Sequence, residues 1–260
     1  MGLIFDIKEF ALNDGSGIRT TVFFKGCPLR CIWCHNPEGL SPRRELYLKQ
    51  KGCLHCGLCL RPCKHPDCQG LGRCLHICPK NLVGVAGVEW DAAALSERLL
   101  RQAGIYRETG GGVTLSGGEP LLQWEFACEL LELLHGKAHT ALETSGYADG
   151  DVFRAVVGRC DFVYMDLKLM DNEAHRAYTG VSNDRILRNA AFLKSSGKPH
   201  AFRTPLIPGI TDTAENLAAI RAFVGTDAWE CLPYNTLAPA KYASVGRKFG
   251  LSDRKGNATC

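Results

Sequence analysis

Hydrophobic and polar positions follow two periods along most of the chain. Residues 18–25, IRTTVFFK, are β-branched and aromatic and predict a strand. From residue 92 onward the period switches repeatedly. Residues 92–103 put Leu95, Leu99 and Leu100 on one face of a predicted helix. Further strands are predicted at 112–116, 139–144, 162–167, 201–207 and 229–233, between helices at 123–134, 151–157, 172–178, 185–195 and 214–224. The strand at 162–167 is apolar on both faces, as buried parallel strands are. Six strands in β–α alternation predict a parallel sheet. A closed barrel of this kind needs about eight. The expected fold class is therefore α/β, a partial, open (β/α)6 TIM-like barrel.

Parallel α/β sheets gather ligands and catalytic groups at the C-terminal ends of their strands. Each predicted strand here exits into polar or glycine-bearing sequence. The first ends at Cys27, the second in SGGEP (Ser116 to Pro120), the third in ETSG (Glu143 to Gly146) and the fourth in MDLK (Met165 to Lys168). The fifth runs through FRTPLIPG with Arg203 near its middle, and the sixth ends in LPYN at Asn235. One mouth should collect them all. Asp166 and Lys168, one residue apart, should point the same way; a plain surface ion pair is the bland alternative.

Residues 45–81 show neither period. They form a cysteine-rich, Gly/Pro-punctuated block, expected to be a small insert folded around metal, with 1–44 and 82–260 making the barrel. The formal net charge of +4 is dispersed, without a basic run, which argues against nucleic acid. No stretch approaches the roughly 18 apolar residues of a membrane span. MGLIFDIKEF carries Asp6, Lys8 and Glu9 where a secretory signal needs apolar residues. The expected location is cytoplasmic. In that reducing compartment the 14 cysteines point to metal rather than disulfides, and ten of them fall between Cys27 and Cys78. Cys128, Cys160, Cys231 and Cys260 read as small, mostly buried residues.

In GCPLRCIWCHNPEG, Cys27, Cys31 and Cys34 stand in a C-x3-C-x2-C spacing. Three thiolates are one short of a full iron–sulfur or zinc set. The spacing alone is only moderately specific, and a zinc knuckle is the competing reading. The neighbours Gly26, Pro28 and Trp33, and GGE after the next strand, narrow it. Together they resemble the radical S-adenosylmethionine superfamily. That resemblance implies a 4Fe–4S cluster on the three cysteines, its fourth iron open to the amino and carboxylate groups of S-adenosylmethionine. The cluster passes an electron to the sulfonium and a 5′-deoxyadenosyl radical forms.

DGSGIRT, FFKGCPLRC, CHNPE, SGGEP, DLK and PYN with Lys241–Tyr242 are together similar to the glycyl radical enzyme activating enzymes, relatives of the pyruvate formate-lyase activating enzyme. Such enzymes take one hydrogen from a glycine of a large partner, the glycyl radical enzyme, and draw electrons from a donor such as flavodoxin or ferredoxin. The resemblance implies roles by position. Trp33 and His35 would lie against adenine, and Gly117, Gly118 and Glu119 would hold the methionine end. Asp166 and Lys168 would contact the cosubstrate. Glu143, Thr144, Asp166 and the carbonyl of Tyr164 would house a monovalent cation. Arg203 would line the mouth, and Asp14 would sit near the partner's glycine loop. Ser16, where relatives carry Pro, and Asn235, where they often carry His, depart from the pattern, as does the short tail SDRKGNATC.

The insert carries C-x2-C-x2-C-x3-C at Cys53, Cys56, Cys59 and Cys63, the ferredoxin run whose fourth cysteine crosses to another cluster. The second run is broken: Cys68, then Leu71 in a cysteine slot, then Cys74 and Cys78. Crossover groups Cys53, Cys56, Cys59 and Cys78 as one secure auxiliary 4Fe–4S set. Cys63, Cys68 and Cys74 are left for a second cluster that is labile, three-iron, or completed by His65, Asp67 or His76. A zinc-bound insert is the competing reading. The insert's expected work is to relay electrons or dock the partner. Two other readings of the whole chain stay open: a radical enzyme acting on a small molecule or other peptide, and a non-catalytic electron carrier.

Overall fold

The computed structural model describes residues 1–251; the polar tail SDRKGNATC, with Cys260, lies outside them. Strand β1 (Gly2–Ala11) leads into β2 (Arg19–Phe24). An excursion follows, opened by β3 (Glu45–Leu48) and closed by β4 (Val83–Ala86), and then comes β5 (Val88–Trp90). Beyond it stand α1 (Ala92–Leu100), α2 (Ala103–Thr109), β6 (Gly112–Gly117), α3 (Trp124–Leu134), β7 (His139–Thr144) and α4 (Gly150–Arg159). The chain continues through β8 (Phe162–Asp166), α5 (Asn172–Thr179), α6 (Asp184–Ser195), β9 (His200–Leu206), α7 (Ala214–Val224), β10 (Trp229–Pro233) and α8 (Ala238–Ser244).

The main sheet has the order β10-β9-β8-β7-β6-β2-β1-β5. From β2 to β10 every neighbour runs parallel, so the six expected strands form one continuous parallel set. Among the described residues no ladder joins β2 to β10, and β2 instead pairs antiparallel with β1. The result is a partial barrel. The periodicity revealed neither β3, β4, β5 and α8 nor β1. Asp6, Lys8 and Glu9 interrupt its apolar positions because it lies near the sheet edge and most of its residues are only partly covered. The helix expected at 92–103 is α1, which ends at Leu100, and a second helix that was not expected, α2, starts at Ala103.

Strand alternation gives the sheet two unlike faces. Val22, Phe24, Val113, Leu115, Leu142, Val163, Met165 and Phe202 point outward and are fully buried against Leu95, Leu99, Leu130, Leu131, Phe153, Val156 and Leu193 of the helices. The residues between them, Arg19, Thr21, Thr114, Ser116, Glu143, Tyr164, Asp166 and Arg203, line the other face. The register sets Asp166 opposite Arg203, and Arg203 opposite Glu230. One face is therefore core and the other is a polar lumen. Arg19 is buried at the start of β2. Its guanidinium donates to Thr114 Oγ1 at 2.6 Å and the Val113 carbonyl at 2.8 Å, which joins β2 to β6.

The turn after β6 is tied to the loop after β2 by the backbone alone. Gly118 N–H donates to the Phe24 carbonyl at 2.7 Å and Glu119 N–H to the Gly26 carbonyl at 2.8 Å. A Cβ on Gly118 would lie 2.2 Å from the Gly26 oxygen and 2.6 Å from the Gly39 oxygen. Backbone atoms cannot yield there. Gly118→Ala is therefore expected to destabilise the fold by about 2 kcal/mol or more. Gly158, near the end of α4, has nothing within 4 Å of an added Cβ. Gly158→Ala is expected to stabilise by up to about 1 kcal/mol. Urea unfolding of both variants checks the pair.

Candidate functional site

The loop that follows β2 carries Cys27, Cys31 and Cys34. It is fastened on the side opposite the glycine turn, where Arg30 N–H donates to the Thr179 carbonyl at 2.7 Å and Ile32 N–H to the Tyr178 carbonyl at 3.1 Å, both at the end of α5. Trp33 is buried and packs with Leu29, Leu169, Ile207 and Ile210 in a small apolar cluster beneath the loop. Its ring is thus part of the bed that supports the cysteines. Lys25, fully buried, donates to the Glu38 carbonyl at 2.7 Å and pairs with Glu45 at 2.9 Å, so it anchors the far limb of the loop to β3.

Burial raises all three thiol pKa values. Cys31 is pushed up to about 12, although the nearby Lys168 pulls downward. Cys27 is raised by burial and then by the Glu119 charge, and Cys34 by burial. These thiols resist ionisation unless a positive occupant draws the thiolates out.

Glu119 is buried, and its carboxylate faces the end of β7. It accepts from Thr144 Oγ1 at 2.6 Å, from Ser145 N–H at 2.8 Å and from Ser145 Oγ at 2.5 Å. Burial pushes its pKa up, and these hydrogen bonds pull it back. Its side chain therefore positions the β6 and β7 ends, while Gly117 and Gly118 keep the turn bare.

In the lumen, Glu143 pairs with Arg203 and accepts from Ser116 Oγ, each at 2.5 Å. Arg203 also pairs with Glu230 at 2.8 Å and lies 3.5 Å from the centroid of the Tyr164 ring. Burial and the Asp14 charge push Glu143 up to about 7 even so. The Asp14 carboxylate accepts from Thr21 Oγ1 at 2.5 Å. At the end of β8, Asp166 and Lys168 meet at 2.5 Å. Burial lowers the Lys168 pKa and Asp166 raises it; the net shift is upward. Thr144, on the opposite face from Glu143, donates to Glu119. The side chains expected around a cation thus each have a protein partner.

His35 and Asn235 do come together: Asn235 Nδ2 lies 3.5 Å from His35 Nε2. The other ring nitrogen, Nδ1, is buried with no hydrogen-bond partner among the described residues. Burial and then Lys241 and Lys8 lower the His35 pKa. Lys241 donates to Asn36 Oδ1 at 3.0 Å, which brings α8 against the loop. Reading the sequence did not single out Lys25, Ser145 or Glu230. Their roles depend on which strands become neighbours, and no local spacing carries that.

The insert cysteines form two unlike groups. Cys53, Cys56, Cys59 and Cys78 line one cavity of about 250 Å³. The ligand atoms of Cys63, His65, Cys68 and Cys74 all lie within 4.8 Å of one another. Asp67 and His76 pair with each other at 2.8 Å. Cys128 and Cys160 are buried in the helix layer, while Cys231 on β10 is exposed.

Residues 21–219 match the Radical SAM superfamily. The chain is 35% identical to the 4-hydroxyphenylacetate decarboxylase activating enzyme of Clostridioides difficile (strain CD196), over 97% of this chain and 88% of that protein. It is also 35% identical to the isethionate sulfite-lyase activating enzyme of Desulfovibrio desulfuricans, over 97% of this chain and 89% of that one. The crystal structure of Streptococcus suis SuiB bound to S-adenosylmethionine shares the fold, with a TM-score of 0.53 and 16% identity over 86% of this chain and 41% of that chain. No described helix is long and apolar enough to cross a membrane. The chain belongs to the radical SAM superfamily and, within it, to the glycyl radical enzyme activating enzymes.

Proposed function

We propose that this chain reductively cleaves S-adenosylmethionine and takes one hydrogen from a glycine of a partner glycyl radical enzyme. The observation that carries this reading is the triad of Cys27, Cys31 and Cys34, with Cys31 buried and the other two half-buried, near Lys168 at the mouth of the sheet. Three sulfur donors on one loop fit an iron–sulfur cluster with one iron left open, and such a cluster would take them as thiolates. When bound there and reduced, a 4Fe–4S cluster supplies the electron that splits the sulfonium and yields the 5′-deoxyadenosyl radical that takes the glycine hydrogen.

The chain's own residues do the rest. Gly117 and Gly118 leave the turn free of side chains, so the methionine end of the cosubstrate rests on backbone. Lys168, held by Asp166, sets a positive charge beside the thiolates and the cosubstrate carboxylate. His35 offers its unpartnered Nδ1 to the adenine, with Asn235 alongside. A monovalent cation at Glu143 and Asp166 would have to displace Arg203 and Lys168, so these two side chains supply that positive charge in this reading. Asp14, in the lumen near Glu143, meets the partner's glycine loop.

Cys53, Cys56, Cys59 and Cys78 hold one auxiliary 4Fe–4S cluster in their shared cavity. It relays electrons from a flavodoxin- or ferredoxin-like donor in the cytoplasm. Residues 45–81 are the module that carries it, entered through β3, and the described residues on either side, 1–44 and 82–251, form the catalytic barrel.

Anaerobic reconstitution, dithionite and S-adenosylmethionine are expected to give 5′-deoxyadenosine with the wild type and only background with Cys34→Ala; clusters without product would refute the reading. Lys168→Met is expected to weaken S-adenosylmethionine binding about ten- to a hundredfold, by loss of a charge-assisted hydrogen bond, as titration of the reconstituted protein would read. Glu143 supplies a pH test. Its folded pKa of about 7 lies above the ordinary carboxylate value, so the proton it binds stabilises the fold fully below the ordinary value. That contribution is lost as pH rises through about 7. The stability of wild type relative to Glu143→Gln is therefore expected to fall between pH 5 and pH 8 in urea titrations; a rise would contradict the assignment.

A further inference from the structure

Residues 49–82 have almost no apolar interior. The side chains buried there belong to Cys68 and Cys74 alone, and Leu54, Leu60 and Ile77 face solvent. The segment holds two single-turn 3-10 helices, Leu58–Leu60 and Pro66–Cys68, and no strand of its own. Gly52, Gly57, Gly70 and Gly72 all have positive φ, so the backbone bends sharply throughout. Apolar burial cannot hold such a segment, and bound metal is the remaining staple.

Its two cysteine groups call for different metals. Cys53, Cys56, Cys59 and Cys78 line one cavity. Cys63, His65, Cys68 and Cys74 instead converge until all four ligand atoms lie within 4.8 Å of each other. A four-iron cluster puts each ligand on a different iron and holds them further apart than ligands sharing one ion. Tetrahedral Zn²⁺, with Zn–S about 2.3 Å and Zn–N about 2.05 Å, sets sulfur and nitrogen about 3.6 Å apart. The distance between Cys74 Sγ and His65 Nδ1 is 3.6 Å.

We propose that Cys63, His65, Cys68 and Cys74 bind a single Zn²⁺ in a closed, structural Cys3His site, in place of a second auxiliary cluster. Leu71 occupies the slot where a cluster would need another cysteine. Leu75 N–H donates to Cys68 Sγ at 3.3 Å and fixes that ligand. The His65 ring packs edge-on against His76 at 4.6 Å, and His76 is held by Asp67. The ligand atoms of Asp67 and His76 lie within 4.8 Å of Cys68 Sγ as well, but these two pair with each other at 2.8 Å, which leaves His65 as the fourth ligand beside the three cysteines. Binding releases the thiol protons of Cys63, Cys68 and Cys74 to solvent and uses neutral His65 through Nδ1. Zinc has no redox chemistry, so the insert carries electrons through one cluster only. This inference rests on the insert alone and stands or falls separately from the radical chemistry.

The test is metal analysis of the full-length protein purified without oxygen from iron- and zinc-replete cells. The expected content is about one zinc and about eight irons per chain. Zinc K-edge absorption should show three sulfurs at about 2.3 Å and one nitrogen at about 2.0–2.1 Å. His65→Ala should lose most of the zinc and keep the iron. About twelve irons with negligible zinc would overturn the proposal, as would a zinc shell without nitrogen. So would unchanged zinc content in the folded His65→Ala variant. The absorption measurement on wild type decides the ligand set even if the variant fails to fold.

Discussion

A thiol drawn out of water holds its proton; Cys31 is buried, Cys27 and Cys34 are partly so, and burial raises the pKa of all three. Much of the surrounding structure meets the demand this creates for three sulfurs in fixed places. The loop that carries them is stitched by backbone hydrogen bonds to α5 on one side, and its base to the glycine turn after β6 on the other. Trp33 and Leu29 give it an apolar floor. Lys168 stands near the sulfurs with its charge stabilised by Asp166. Only glycine permits the approach of the β6 turn, because the Gly26 and Gly39 carbonyls fill the space a side chain would need.

The same logic of buried charge runs down the lumen. Alternation on the parallel strands aims Glu143, Arg203 and Glu230 at one another, and the Arg203 guanidinium bridges both carboxylates while lying over Tyr164. Breaking one partner would leave an uncompensated buried charge, which costs far more than an exposed pair contributes. Glu119 meets its own burial with hydroxyl and amide donors from Thr144 and Ser145.

The six parallel strands were legible because each combines a β-rich run with a following helix period. β1 was not, since three charged residues interrupt an edge-region strand that only its neighbours explain. The β3–β4 ladder joins segments separated by the whole insert, beyond the reach of local pattern. At the site, the cysteine spacing and the strand-end positions of Asp166 and Lys168 could be read directly. Glu119 was noticed, but the direction of its carboxylate depends on β7 lying beside β6. In the insert, counting in threes separated the two cysteine groups. That His65 converges on Cys63, Cys68 and Cys74 while Asp67 and His76 pair with each other needed the fold.

The central claim is that the triad holds a cluster with one iron free for S-adenosylmethionine. Mössbauer spectroscopy of ⁵⁷Fe-reconstituted protein tests it most directly, using a Cys53→Ala/Cys56→Ala variant to silence the insert cluster. Adding S-adenosylmethionine is expected to move the signal of about a quarter of the cluster iron toward that of iron bound by nitrogen and oxygen. A spectrum indifferent to S-adenosylmethionine, with the cluster intact, would contradict the claim.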